Sequence, residues 1–141
     1  MSKTCALFHV VICTKYRKFT IPEKPRHAIY RYITGILANH RCKLLRINGI
    51  GNHMHILFDM ATTVTLAQVM QSIKQSTSRM MLRNPEFPLF EGWSKEYFAF
   101  SVSPSAKMRV IEYINNQEKH HTLKSLDEEM DDIYRMVGFE S

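Results

Sequence analysis

No apolar run in this chain approaches the ~20 residues that a helix needs to cross a bilayer, and its N-terminus shows no signal-peptide pattern. Both lacks predict a chain without a membrane partner. Cysteine is scarce. Cys5, Cys13 and Cys42 are an odd number with no Cys-x-x-Cys spacing. A disulfide framework is therefore not expected; the prediction is a reduced, cytoplasmic chain whose cysteines serve buried packing. There is no internal repeat and no low-complexity segment, which argues against a solenoid or a linker-rich chain. What remains is 45% apolar and 23% charged, the balance of a soluble globular fold rather than a disordered one. At 141 residues one domain spanning 1–141 is expected, with a sheet-and-helix core over 5–103 and further helices over 104–141.

The net charge of +6 is unevenly spread. Residues 1–123 hold 17 Lys and Arg against 7 Asp and Glu, a balance of +10. Asp127, Glu128, Glu129, Asp131, Asp132 and Glu140 crowd the tail. A body that basic suits a polyanion such as nucleic acid, although a solvated surface gives the same count.

Residues 5–14 are almost continuously apolar and β-branched, as a central strand covered on both faces would be. Lys15-Tyr16-Arg17-Lys18 follows, a basic turn holding an aromatic, able to grip phosphates and stack a base or simply to face water. Pro22 and Pro25 mark a helix entry, and Ile29, Ile33, Ile36 and Leu37 give that helix its stripe, with Arg26, Arg31 and Arg41 off it. A strand over 42–50 leads through a turn at Asn48–Asn52 into the segment 51–60. Thr65 caps a second helix with Leu66, Val69, Met70, Ile73, Thr77 and Met80 inward and Gln71, Lys74, Gln75, Ser78 and Arg79 outward. Pro85, Pro88 and Gly92 predict a loop containing Trp93, before a strand over 96–102. Helices are expected over about 106–121 and about 126–137, the last ending near Gly138. The order β-α-β-β-α-β followed by two helices predicts an α+β, ferredoxin-like (RRM-like) antiparallel sheet with packed helices.

Within 51–60, Met54, Ile56, Phe58 and Met60 alternate with His53, His55, Leu57 and Asp59. Two histidines one residue apart on a strand share a face, roughly 7 Å apart at the backbone. They can converge on one metal with at least one further ligand, or be ordinary half-buried strand residues. In the helix at 106–121, Tyr113 and Gln117 are four apart and stack on one face, beside the stripe Val110, Ile111 and Ile114. A tyrosine can be a covalent nucleophile on phosphorus, and a phosphodiester needs a cation to offset charge on its nonbridging oxygens.

Here a resemblance becomes specific. His53-Met54-His55 is similar to the His-hydrophobic-His (HUH) motif, and Tyr113-Ile114-Asn115-Asn116-Gln117 resembles the nucleophile helix of TnpA-type single-tyrosine transposases of the insertion-sequence 200/605 family. The likeness extends over Val10–Arg17, Gly51–Leu57, Gln71–Arg79 and Ala99–Ser103. It implies a transposase that cleaves and rejoins single-stranded DNA at element ends through a 5′-phosphotyrosine. Tyr113 is then the nucleophile, and His53, His55 and Gln117 the ligands of Mg²⁺ or Mn²⁺. It also implies a homodimer acting on hairpin ends, gripped by basic residues for which Lys15, Arg17, Lys18, Lys74 and Arg79 are the choice. Asn52 stands where relatives often carry an acid before the first histidine, and the connector 103–105 has no glycine. His120 and His121 are left out of the ligand set, lying about one turn beyond Gln117 near a helix end that favours cations anyway.

Three rival readings stand beside this one. A non-cleaving single-stranded nucleic-acid-binding module explains the charge and the sheet but leaves Tyr113 and Gln117 without a role. A host-adopted relative that processes repeated palindromes would share the site. A two-histidine phosphoesterase would need a second His-x-Ser/Thr strand, and none is present.

Overall fold

A computed structural model describes residues 2–117 and 125–136. Four strands, β1 (Leu7–Thr14), β2 (Lys43–Ile50), β3 (His53–Asp59) and β4 (Trp93–Val102), form one sheet in the order β2-β3-β1-β4. Every neighbouring pair is antiparallel. Helices α1 (Arg26–Asn39) and α2 (Leu66–Leu82) supply the crossovers, which makes the core the expected ferredoxin-like α+β fold. Two further helices follow, α3 (Lys107–Asn115) and α4 (Leu126–Met136).

Period-two alternation splits each central strand between two cores. Val10 and Ile12 of β1 and Met54, Ile56 and Phe58 of β3 face α1 and α2, where Ile29, Ile33, Leu37, Val69, Met70 and Ile73 meet them. On the reverse face, Leu7, Leu57 and Val102 pack under Val110, Ile111 and Ile114 of α3. Val11, Cys13 and Phe100 pack under Tyr113 and under Leu126, Met130 and Ile133 of α4. Each fully buried aliphatic side chain stabilises the fold by about 1.5–3 kcal/mol relative to exposure. The reverse face is thus a real second core, and it is the one that carries the chemistry.

Local signals set the helix starts. Thr65 and Gln68 exchange side-chain and backbone hydrogen bonds at the head of α2, a capping box worth about 1 kcal/mol. Ser125 accepts the Glu128 amide at the head of α4, and Asp127, Glu128 and Glu129 place negative charge against the positive helix end.

Several expectations shift. Trp93 is not in a loop: it opens β4, is buried, and donates its indole N–H to Thr77 Oγ1 at 2.8 Å. Cys13 and Cys42 are buried as expected, but Cys5 precedes β1 and is exposed. Arg26, expected off the stripe of α1, is buried and donates to the carbonyls of Gly49 and Ile21, closing the turn before β3. The stripe of α2 ends on Met81, with Met80 half-buried. Helix α3 runs to Asn115, with Asn116 and Gln117 just beyond its end; residues 118–121 of the expected helix, with His120 and His121, lie outside the described residues, as does Gly138.

Candidate active site

β3 is held from both sides so that its histidines cannot slide. A Cβ on Gly49 would lie 2.5 Å from the His53 carbonyl oxygen, so β2 approaches here only because the residue is glycine. In the turn that follows, the Asn52 carbonyl accepts from the Thr14 amide at 2.9 Å, and Gly51 accepts from the amides of Thr20 and Ile21. Asn48 of β2 donates to the Ile114 carbonyl at 2.9 Å, tying the last turn of α3 to the sheet. That bond fixes where Tyr113 and Gln117 fall.

His53 and His55 are fully buried on the reverse face, with ring centroids 5.0 Å apart. Tyr113 stands edge-on to His55 at 5.7 Å. Gln117 Nε2 lies 3.0 Å from His53 Nε2. The four residues singled out for catalysis and metal binding are therefore neighbours within one chain.

A fifth residue stands at their centre. Glu129 of α4 is fully buried; its carboxylate lies 3.1 Å from His53 Nε2 and 3.7 Å from His55 Nε2. It also accepts from the Tyr113 hydroxyl at 3.0 Å and from the Gln117 amide. Burial alone would raise its pKa, but hydrogen bonds and charge from His53, with the bonds from Gln117 and Tyr113, outweigh that and hold it below the usual carboxylate range. The opposite happens to the nucleophile. Burial first, and the Glu129 charge second, push the Tyr113 phenol well above its ordinary value, so it is held protonated.

Behind each histidine sits a partner that orients it. Asn52 Oδ1 is 2.7 Å from His53 Nδ1 and can only accept there, which places the proton on Nδ1 and leaves Nε2 turned toward Glu129. The asparagine thus orients the first histidine. His9 of β1 lies behind His55, its Nε2 2.8 Å from His55 Nδ1. Burial, opposed by the Glu129 charge, lowers His9 to a pKa of about 4 and keeps it neutral. An unprotonated His55 Nε2 then requires the Nδ1 proton to be donated to His9.

The donor set fits a divalent cation. His53, His55 and Glu129 offer ligand atoms within 4.8 Å of one another, and the Gln117 amide oxygen is buried without a hydrogen-bond partner among the described residues. Imidazole nitrogen with carboxylate or amide oxygen is a mixed set suited to Mn²⁺ as well as Mg²⁺.

Sequence reasoning did not find Glu129, His9 or the part played by Asn52. The signals were present. Leu126, Met130 and Ile133 define the buried stripe of α4, and Glu129 falls on it, a position carboxylates rarely take unpartnered. His9 interrupts an otherwise apolar face of β1.

The basic residues divide. Lys15, Arg17 and Lys18 form a tight turn at the end of β1, whose Cys13 pairs with His53. Tyr16 and Arg17 take left-handed φ values of 60° and 55°, and Tyr16 is 73% exposed between two lysine ammonium groups, 5.7 and 5.4 Å from its ring. A strained, exposed aromatic flanked by cations is a ready stacking platform. Arg17 pairs with Asp127 of α4 at 3.0 Å, and Lys18 with Glu91 at 3.6 Å. Lys74 and Arg79 lie on α2, across the sheet from the histidines, and do not join the site. Lys74 donates to the Lys95 carbonyl at 2.8 Å and edges an open cavity of about 330 Å³.

Comparison with known proteins places this fold among the transposases. A crystal structure described as a candidate transposase from Deinococcus radiodurans R1 superposes with a TM-score of 0.63 at 18% identity, over 82% of this chain and 93% of that one. The structure of a REP-associated tyrosine transposase bound to a REP hairpin superposes with a TM-score of 0.63 at 12% identity, over 86% of this chain and 74% of that one. A search of curated proteins gave no match. The family model for IS200-like transposases matches residues 2–117, and the chain belongs to that family.

Proposed function

We propose that this transposase cleaves and rejoins single-stranded DNA beside hairpins, with Tyr113 as nucleophile and His53, His55 and Gln117 as the residues that hold a divalent cation. The observation that carries the reading is the convergence of the Tyr113 hydroxyl, both imidazoles and the Gln117 amide around one small buried volume. Neither a binding module nor a structural protein has a use for that arrangement. When bound, the cation supplies polarisation of a phosphate oxygen and offsets its charge.

The Tyr113 oxygen attacks the scissile phosphorus in line and gives up its proton; the 3′-oxygen leaves and takes one, yielding a 3′-hydroxyl and a 5′-phosphotyrosine. The phosphodiester energy is kept, so a second 3′-hydroxyl can reverse the step and join new ends without a nucleotide. The Tyr16 turn grips the backbone near the site, and Asn52, donating to the Arg17 carbonyl at 3.4 Å, links turn and site. Tyr113 is only 7% exposed beneath α4, so a strand reaches it only when α4 gives way.

All these groups come from one chain, and cleavage needs no second subunit. Joining two ends does call for two sites, and for that step the reading includes a homodimer. The hairpin bound by the REP-associated neighbour supports hairpin-bearing single strands as the substrate class. Repeated palindromes are the alternative to element ends within that class.

The test is incubation with single-stranded hairpins labelled at either end, plus Mn²⁺. The expected result is a protein-linked product that keeps the label 3′ of the cut. Binding with no cut under any divalent metal would leave only the nucleic-acid-binding rival.

A further inference from the structure

Resting on the cation site just proposed, we infer that Glu129 is a ligand of the same ion, supplied by α4, and that the ion fastens α4 over the nucleophile. Nothing in the His-x-His strand or the tyrosine helix requires a fourth side chain from a separate element. Three independent features of the geometry point to one.

The first is charge. Glu129 is fully buried, and its ion pairs among the described residues are with His53 and His55. A buried carboxylate needs a positive partner. In the neutral form of His53 that binds a metal, Asn52 holds the proton on Nδ1 and the Nε2 lone pair faces a carboxylate oxygen 3.1 Å away. A cation seated between the two then supplies the positive charge that His53 otherwise gives Glu129.

The second is spacing. Ligand atoms ~2.1 Å from one ion stand about 3–3.5 Å apart in octahedral or tetrahedral geometry. The carboxylate oxygens stand 3.1 and 3.7 Å from the two imidazole nitrogens, and the Gln117 amide nitrogen stands 3.0 Å from His53 Nε2. Oxygen and nitrogen of an amide exchange by a half-turn of the group. That half-turn brings the buried Gln117 Oε1, which has no hydrogen-bond partner among the described residues, into the same shell.

The third is the nucleophile. The Tyr113 hydroxyl donates to Glu129 Oε1 at 3.0 Å, so the carboxylate that would bind the ion also aims the attacking oxygen at it. Leu126, Met130 and Ile133 hold α4 on the sheet by apolar packing, and Glu129 adds a bond that exists only with the ion present. A phosphodiester is likewise an anionic oxygen donor. It can take the place of Glu129 when DNA enters, which links strand entry to release of α4.

The experiment is calorimetric and EPR titration of the intact chain with Mn²⁺, alongside hydrogen exchange of 126–136 with and without Mn²⁺. Wild type, Glu129→Gln, Glu129→Asp and His55→Ala are compared. The proposal expects one Mn²⁺ site in wild type, lost in His55→Ala and weakened at least tenfold in Glu129→Gln. It also expects Mn²⁺ to slow exchange in α4 of wild type but not of Glu129→Gln. Glu129→Asp keeps the charge and a partial effect, and covers the case in which the amide variant does not fold. If His55→Ala loses Mn²⁺ while Glu129→Gln binds it unchanged or more tightly, Glu129 is no ligand and the two-histidine site stands. If wild type binds no Mn²⁺, the cation site itself fails and this inference falls with it.

Discussion

The hydroxyl of Tyr113 donates to Glu129 at 3.0 Å, joining a residue of the tyrosine helix to one on a helix eleven residues further along that sequence patterns alone do not couple to it. Burial, the Glu129 charge and this hydrogen bond together keep the phenol protonated, and the bond holds it beside the two histidines. Its removal separates binding from chemistry.

Tyr113→Phe keeps the ring against His55 and loses only the hydroxyl. Stability should change by no more than about 0.5–1.5 kcal/mol, the usual worth of one hydrogen bond. Cleavage of a hairpin substrate should vanish while its affinity, followed by fluorescence anisotropy, stays at the wild-type value. Nicking that survives the substitution would remove Tyr113 from its role.

His9→Phe removes the acceptor behind His55 while filling the same buried space. Loss of such an orienting partner typically costs about 10–100-fold in metal affinity. Mn²⁺ titration should show that drop, and His9→Gln, which restores an acceptor, should recover part of it. Equal affinities in all three proteins would make the 2.8 Å approach of the two rings incidental.

His9 also gives the pH dependence a sign. Its pKa falls from 6.5 to about 4 on folding because burial disfavours the charged ring. The neutral form is favoured in the fold, so this contribution is complete above about 6.5 and is lost as pH falls toward 4. At about 1.4 kcal/mol per unit the loss is on the order of 3 kcal/mol at most. Melting temperature measured across that window should drop in wild type and drop less in His9→Phe.

Chelation by EDTA should abolish cleavage, and Mn²⁺ should restore it at least as well as Mg²⁺, since imidazole nitrogens are softer donors than Mg²⁺ prefers. Full activity in excess chelator would contradict the cation site.

Tyr16→Ala should weaken single-strand binding by about 1–3 kcal/mol if a base stacks there. Lys15→Ala or Lys18→Ala should lower the slope of log affinity against log salt by about 0.7 for each phosphate left without its cation. Lys74→Ala and Arg79→Ala, across the sheet, should leave cleavage beside the hairpin unchanged at saturating DNA.

Much of the fold was legible because alternation is hard to misread: Met54, Ile56 and Phe58 against His53, His55 and Leu57 set both faces of β3 from the sequence alone. The tyrosine and glutamine four apart were also plain, although α3 ends at Asn115, two residues before Gln117. Trp93 was misplaced because Gly92 looked like the end of a loop, whereas β4 begins directly after it. Glu129 was hidden for a different reason. Its neighbours Asp127, Glu128, Asp131 and Asp132 make the segment read as a solvated acidic face, and only packing of Leu126, Met130 and Ile133 reveals which carboxylate turns inward. His9 acts through a bond between neighbouring strands, and such a pairing depends on register that no single segment encodes, whereas Asn52 bonds the residue next to it, His53.

The central claim is chemical, and mass spectrometry tests it most directly. After reaction of the wild-type chain with a single-stranded hairpin and Mn²⁺, nuclease and protease digestion should yield one peptide carrying a 5′-phosphonucleotide on Tyr113. A cleaved strand with no protein adduct, or an adduct on any other residue, would contradict it.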